Sequence, residues 1–136
     1  MNVDNLIRQH KELLDLAGKL SETSKNTGST EGAKNAVSAI AKLSGVLGIH
    51  LAMEDKHLYP KAIASDDQSL VALATRFQTE MGGIGDAFKQ YKTQWMSADK
   101  ITAASGDFVT STAQLIGVLA ARIEREESEF YPKISS

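Results

Sequence analysis

Hydrophobic residues recur along the chain every three or four positions, which is the spacing of amphipathic helices rather than of strands. The first such stretch ends at the polar run SETSKNTGST, residues 21–30. Its common face carries Leu6, His10, Leu13, Leu16, Ala17 and Leu20. We predict a helix that ends before this run and a loop over the run itself.

Three further segments show the same periodicity, at about residues 30–64, 68–95 and 101–130, with short breaks at 66–67 and 97–100. The inner stripe of the second segment is apolar except near its end, and it comprises Val37, Ile40, Leu43, Val46, Leu47, His50, Met53, Glu54 and Leu58. Four helices with short connections favour an all-α, up-down-up-down four-helix bundle. We expect one domain over residues 1–136.

The second and fourth segments repeat each other at an offset of 72 positions. GVLGIHLAMEDKHLYPK from Gly45 then aligns with GVLAARIEREESEFYPK from Gly117, which places Glu54 opposite Glu126. The first and third segments correspond more weakly at an offset of 71, with His10 opposite Met81. We therefore predict two related helical hairpins with pseudo-two-fold symmetry, and a site on their common axis.

Composition restricts the chemistry of such a site. The chain has 15 basic and 17 acidic residues, so there is no broad basic field for nucleic acid or an anionic membrane, and we expect neither partner. Because the chain contains no cysteine, a bound metal is left to histidine, carboxylate and water. The first ten residues acquire charge at once, which favours a cytoplasmic protein.

His50 and Glu54 are four residues apart, so a helix places their side chains on one face. His10 adds a second imidazole and Glu126 a second carboxylate, a set that suits iron, manganese or zinc. A histidine–glutamate pair on a helix is commonly only a hydrogen bond. Here, however, two carboxylates at equivalent points of an inner stripe require a cation between them, because burying an unpaired charge is costly.

At these residues the chain resembles the hemerythrin-like family, also called the HHE cation-binding domain. The resemblance is carried by RQHKELL around His10, HLAMEDKHLYP from His50 and EESEFYP from Glu126. It implies a four-helix bundle with two carboxylate-bridged irons and histidines from all four helices, associated with oxygen binding, oxygen or iron sensing and nitric-oxide responses. Carried over, His10 and His50 are terminal ligands of one iron, and Glu54 and Glu126 are the bridges.

Two positions depart from the family pattern. Met81 stands where the third helix usually supplies a histidine, and Arg122 stands in place of the histidine of the second H-x-x-x-E. We therefore predict at most one iron or other divalent metal per chain, or none. Because arginine stays charged and cannot coordinate a metal, we expect Arg122 to take the metal's place and neutralise Glu126, and with it Glu54. The alternative is that Arg122 extends to solvent.

Neighbouring residues are assigned supporting roles. Glu54-x-x-His57 has the E-x-x-H spacing of ferritin-type bundles, but its repeat partner Glu129 is not a histidine, so we expect His57 in an outer shell or at the surface. Tyr59 and Tyr131 are predicted to close the bundle end with their hydroxyls reaching outward, and together with His57 they are candidate outer-shell residues. The glycines of MGGIGDAF, residues 81–88, are assigned to close helix packing or room for arginine, in preference to a loosened helix that admits a small molecule.

Together these features predict a cation-binding or sensing protein rather than an enzyme, with O2, NO or another small ligand at the metal. Two alternatives stay open. One is a metal-free bundle that acts as an interaction module and is stabilised by Arg122. The other is a mononuclear non-haem iron enzyme that uses His10, His50 and Glu54 as its facial ligand set. The pattern identifies no protein partner.

Overall fold

The computed structural model describes residues 2–135, and within that range the chain is helical without a strand. The elements are α1 (Asp4–Ser24), α2 (Thr30–Met53), a π-turn π1 (Glu54–Leu58), α3 (Tyr59–Ile63), α4 (Gln68–Trp95), α5 (Ala98–Ala103), α6 (Ser105–Arg125), a second π-turn π2 (Glu126–Phe130) and α7 (Tyr131–Ser135). The segments α2, π1 and α3 run on without a break, as do α6, π2 and α7.

The long helices form a closed ring in which α1 and α4 each pack against both α2 and α6. This arrangement confirms the predicted all-α bundle. The short helix α5 packs against α2 and α4 at the turn between α4 and α6.

Two predicted boundaries were wrong. The helix α1 continues through residues 21–24, because no glycine or proline interrupts the chain there, and the Thr23 and Ser24 hydroxyls donate to the backbone carbonyls of Lys19 and Ser21. The last helical stretch begins at Ala98 rather than at residue 101 and breaks at Ala104, whose φ of −139° is not helical. The breaks before α2 and α4 each carry a side-chain cap: the Gly32 N–H donates to the Ser29 hydroxyl, and the Ser69 N–H donates to Asp67 Oδ1.

The two π-turns lie at equivalent points of the sequence repeat. In each, a tyrosine N–H donates to the carbonyl five residues earlier, Tyr59 to Glu54 and Tyr131 to Glu126. The residue after each tyrosine is a proline, which has no N–H and clashes with the carbonyl four residues back in a regular helix. The wider turn relieves that clash, so the Tyr-Pro pair explains why the helix loosens next to each inner glutamate.

The interior is divided into two apolar clusters with a polar layer between them. One cluster includes Leu13, Leu20, Leu43, Trp95 and Phe108, and the other includes Leu6, Leu58, Tyr59, Phe77, Phe130 and Tyr131. Side chains of His10, His50, Glu54, Arg122 and Glu126 are buried in the intervening layer. Burial between two apolar clusters removes water from these charged and polar groups, so their partners must come from the protein or from a bound ion.

The continuous helix Thr30–Ile63 is long and apolar enough to cross a membrane by length and composition alone. The core helix of a bundle has the same property.

The expectation of close packing at the α4 glycines does not hold at Gly82 and Gly83, where an added Cβ would meet nothing within 4 Å. At Gly85 an added Cβ would lie 3.5 Å from the Leu51 Cδ1, which is an ordinary contact. Beside them α2 and α4 leave a groove of about 380 Å³ that reaches Met81.

Candidate metal centre

Three of the predicted site residues converge at the centre of the polar layer. His10 comes from α1, His50 from α2 and Glu126 from π2, and one ligand atom of each lies within 4.8 Å of the others. The two Nε2 atoms are 3.1 Å apart, and the His10 Nε2 is 3.4 Å from Glu126 Oε1. Glu54 joins from the other side, with Oε1 at 3.2 Å from the His50 Nε2.

A contact at Nδ1 fixes the orientation of each imidazole. The His10 Nδ1 is 2.7 Å from Glu127 Oε2, and the His50 Nδ1 is 2.7 Å from Gln9 Oε1. The Gln9 amide N–H donates in turn to Met53 Sδ at 2.9 Å, which leaves its oxygen for the histidine. Since a carboxylate and an amide oxygen can only accept, each Nδ1 carries the proton in the neutral ring, and each Nε2 is left with a free lone pair.

Two lone pairs that face each other at 3.1 Å repel unless a cation or a proton lies between them. Burial and the neighbouring His50 lower the pKa of His10, although the contact with Glu127 opposes this, so His10 resists taking up that proton. Two ligand atoms that each lie about 2.1 Å from a metal are about 3.0–3.4 Å apart at ordinary coordination angles. The consecutive separations of 3.1 and 3.4 Å lie in that range, and one ligand atom each of His10, His50 and Glu126 lies within 4.8 Å of the other two, so these three residues fit a metal ion. Glu54 Oε1, 3.2 Å from the His50 Nε2, adjoins this group.

The carboxylates are short of partners in the same place. Glu54 Oε1 and both oxygens of Glu126 are buried and accept no hydrogen bond from any described residue. Burial opposes ionisation of Glu54, but the adjacent Glu126 and His50 outweigh it and lower its pKa. Burial and the proximity of Glu54 raise the pKa of Glu126 to about 11, against an opposing effect of the Arg122 charge. Without a cation, therefore, the pair holds one proton rather than two negative charges.

The two tyrosines contradict the prediction that their hydroxyls reach outward, because both side chains are fully buried. The Tyr131 hydroxyl donates to Glu54 Oε2 at 3.0 Å and lies 3.3 Å from the His10 Nε2. Tyr59 stacks on Phe130, with ring centroids 5.8 Å apart, and its hydroxyl has no partner among the described residues. Each ring follows directly after a π-turn that begins at an inner glutamate, and the Tyr131 hydroxyl reaches the polar layer.

The predicted partner of Arg122 was wrong, and so was its alternative. The side chain is only 6% exposed, so it does not extend to solvent. Its guanidinium forms an ion pair with Glu80 of α4 and lies over the Phe77 ring, 4.6 Å from the centroid. No hydrogen bond or ion pair joins it to Glu126 within the described residues. Glu126 instead turns toward the two histidines, and Glu80, which is partly exposed, offers the arginine an anion that need not be desolvated.

The remaining predicted positions lie outside this cluster. His57 is exposed on π1, at the surface. Met81 is buried at 3% exposure and borders the groove between α2 and α4. Sequence reasoning missed Gln9 and Glu127, although Gln9 precedes His10 and Glu127 follows Glu126. The only signal in the sequence is that each residue is polar and adjoins a predicted ligand. Gln9 contacts His50 and Glu127 contacts His10, and these pairs form only when the helices are packed together.

The family model described as the hemerythrin HHE cation binding domain matches residues 1–134 of the chain. Neither a curated protein nor a solved structure matches it.

Proposed function

Because that match spans nearly its whole length, the chain belongs to the hemerythrin HHE cation-binding domain family, and we propose that it binds one divalent metal ion, iron in the first place. The ligands are His10, His50, Glu54 and Glu126. We infer a role in binding or sensing the metal or a small molecule such as O2 or NO, without catalytic turnover.

One observation carries this proposal: two imidazole lone pairs and carboxylate oxygens without partners meet in a space that water does not reach. Six-coordinate metals such as Fe²⁺ accept two nitrogens and one or two carboxylate oxygens and keep further positions open. A bound iron would supply those open positions to a small ligand. The same cluster without a cation leaves buried acceptors unsatisfied, which costs about 1–3 kcal/mol for each.

The residues around the ligands have separate tasks. Glu127 and Gln9 hold the Nδ1 protons, so that both rings present Nε2 to the ion. Tyr131 donates a hydrogen bond to Glu54 Oε2 and leaves Glu54 Oε1 for the metal. Since the oxygen of this hydroxyl also lies 3.3 Å from the His10 Nε2, it is placed to accept a hydrogen bond from a molecule that binds beside His10. The aromatic cluster below the layer keeps bulk water away.

The test is an anaerobic titration of the metal-free protein with Fe²⁺, followed by equilibrium dialysis, in three forms of the chain. We expect saturable binding by the wild type and a loss of at least tenfold in affinity for His50→Ala. His57→Ala is the matched control, since it removes an exposed histidine from the same continuous helix, and it should bind as the wild type does. Equal affinity in all three forms would contradict the proposed ligand set.

A second candidate is a metal-free bundle that acts through its surface, and the buried position of Arg122 favours it. The arginine already places one permanent cation in the second hairpin's half of the polar layer. If the wild type shows no saturable binding of Fe²⁺, Mn²⁺ or Zn²⁺ in the same dialysis, this candidate replaces the metal protein. If the iron-loaded protein consumes oxygen in multiple turnovers with a substrate, the mononuclear enzyme reading replaces both.

A further inference from the structure

The two imidazoles of the candidate metal centre are held by partners of different charge. The His10 Nδ1 lies 2.7 Å from a carboxylate oxygen of Glu127, and the His50 Nδ1 lies 2.7 Å from the amide oxygen of Gln9. Both oxygens accept the Nδ1 proton at the same distance, so both orient their ring. The partners differ in charge, because one is a carboxylate and the other is a neutral amide.

The surroundings of the two partners match this difference. The Glu127 side chain is 38% exposed, so water solvates its carboxylate beyond the contact with His10. Gln9 is buried, and its amide N–H donates to Met53 Sδ at 2.9 Å. A carboxylate in place of Gln9 could not make this donation and would bury a charge. The fold therefore places a charge behind one imidazole only.

The charge behind His10 changes what its other nitrogen can do. A carboxylate that accepts the Nδ1 proton of a ligating histidine raises the basicity of that ligand. The His10 Nε2 is therefore a stronger electron donor than the His50 Nε2, although both present a lone pair to the same place. Hydrogen bonds and charge around a metal's ligands set its reduction potential, and a stronger donor stabilises the more highly charged ion.

The charges around the centre favour the same oxidation state. Glu54 and Glu126 supply two carboxylates to the polar layer, and Glu127 contributes a third from its edge. Among the described residues no lysine or arginine forms an ion pair with any of the three, since Arg122, whose charge acts on Glu126, is paired with Glu80. Three negative charges exceed the charge of Fe²⁺ by one and equal that of Fe³⁺. An uncompensated charge is costly in a buried layer.

We propose that Glu127 determines which oxidation state of iron the centre prefers: through His10 it stabilises Fe³⁺ relative to Fe²⁺. Gln9 orients His50 without this effect. Because Glu127 acts through the imidazole and not on the ion itself, it is a positioning residue whose charge, and not only its hydrogen bond, matters. This inference rests on the proposed binding of iron.

The test is the reduction potential of the iron-loaded protein, measured by titration with redox mediators and electron paramagnetic resonance of the ferric ion. Glu127→Gln keeps an acceptor for the His10 Nδ1 and removes the charge. We expect the ratio of Fe³⁺ affinity to Fe²⁺ affinity to fall about tenfold, which raises the potential of this one-electron couple by about 59 mV. Glu124→Gln is the matched control, since it removes the same charge from an exposed residue three positions earlier, and it should leave the potential unchanged.

An exchange of charge between the two imidazoles separates this effect from a structural one. Gln9→Glu places a carboxylate behind His50 and should lower the potential by a similar amount. The double variant Gln9→Glu/Glu127→Gln moves the charge from one ring to the other and should return the potential toward that of the wild type. A purely structural role of Glu127 would not be rescued in this way. Should Gln9→Glu fail to fold, as judged by circular dichroism, the comparison of Glu127→Gln with Glu124→Gln still decides.

The proposed iron binding and the role of Glu127 can fail separately. A wild type that binds no Fe²⁺ in the dialysis described above would overturn both. Saturable binding with equal potentials in the wild type and Glu127→Gln would overturn only the role of Glu127. An equal shift in Glu124→Gln would overturn it too, since the potential would then follow the net charge of the surface. Loss of both Fe²⁺ and Zn²⁺ binding in Glu127→Gln would show that Glu127 only orients the ring.

Discussion

In the first hairpin the residue four positions before the inner glutamate is His50, and in the second hairpin it is Arg122. His50 directs its Nε2 toward the centre and is held from behind by Gln9. The buried Arg122 forms its ion pair with Glu80 of α4, which is partly exposed, rather than with Glu126. Equivalent positions of the two hairpins thus carry the free lone pair of an imidazole in the first and the permanent positive charge of a guanidinium in the second.

The frame itself is almost unchanged between the halves. Each hairpin has a π-turn that begins at its inner glutamate and ends before a Tyr-Pro pair. The difference between the tyrosines follows from the histidines: Tyr131 reaches Glu54 and His10, whereas the position opposite His10 is Met81, and the Tyr59 hydroxyl has no described partner. Two substitutions can therefore remove one metal's ligands while the backbone that carried them is kept.

The largest expected effect comes from restoring the missing imidazoles. The double variant Met81→His/Arg122→His gives the second hairpin the same residue types as the first, and we expect the bound metal to rise from one to two ions per chain. The measurement is elemental analysis after iron reconstitution. Met81→His alone is the control and should still bind one, since Arg122 remains. One ion in the double variant would mean that the halves differ in more than these two side chains.

The next effect concerns what Arg122 contributes to the fold. Arg122→Ala removes the ion pair with Glu80 and the contact with Phe77, and we expect the free energy of unfolding to fall by about 1–3 kcal/mol. Because Glu80 is partly exposed, the loss should be smaller than for a fully buried pair. Arg122→Met keeps the aliphatic packing and should lose less. A loss below about half a kcal/mol for alanine, in urea denaturation, would contradict a structural role.

A third effect separates metal binding from stability at Glu126. Its pKa in the metal-free fold is raised from 4.5 to about 11, so between these values the folded chain holds a proton that the unfolded chain has lost. The stability of the metal-free protein should therefore fall as pH rises from 5 to 9. Glu126→Gln should reduce this fall and gain about 1–3 kcal/mol near pH 8, while it weakens Fe²⁺ binding.

Glu124→Gln is the control for that experiment. Glu124 is exposed and lies on α6, two residues before Glu126. It should show the pH dependence and the metal affinity of the wild type. A wild-type stability that is flat over this pH range would contradict the shared proton of Glu54 and Glu126.

The smallest effect concerns the glycines of α4, which align with Lys11, Glu12 and Leu14 of α1 at the offset of 71. Gly82→Ala should stabilise the protein by about 0.5–1 kcal/mol, since the new Cβ meets nothing within 4 Å and alanine favours the helix. Gly32→Ala is the contrast, because its Cβ would collide with the Asn26 carbonyl. The measurement is the thermal denaturation midpoint of both variants. A lower midpoint for Gly82→Ala than for the wild type would show that glycine at this position is required for a stable α4.

The bundle and the layer that holds the candidate centre could be predicted from sequence because both depend on helical spacing. A period of three to four residues fixes which face is buried, so the inward positions of His10, His50 and Glu126 follow from their leucine neighbours. The repeat added the equivalence of Glu54 and Glu126. Whether these residues bind metal stays a prediction.

Side-chain partners across helices could not be predicted in the same way. Arg122 has a long, flexible side chain that pairs with Glu80 of α4 rather than with Glu126, four residues further along its own helix. Glu80 is partly exposed and Glu126 is fully buried, a difference that the sequence does not reveal. The inward tyrosine hydroxyls depend on the π-turns, which shift the ring direction by a fraction of a turn. Gln9 and Glu127 are ordinary polar residues until the facing helices place an imidazole within 2.7 Å of each.

We propose that the first hairpin keeps both of its histidine ligands, whereas the second hairpin carries Met81 and Arg122 at the equivalent positions and contributes only Glu126. The most direct test is the number of metal ions per chain, by elemental analysis of protein produced in iron-supplemented medium and purified without a histidine tag or chelator. We expect one ion per chain, lost in His50→Ala and retained in His57→Ala. Two ions would show that other groups replace the missing histidines, and none, even after anaerobic reconstitution, would show that the first hairpin's ligands no longer bind metal.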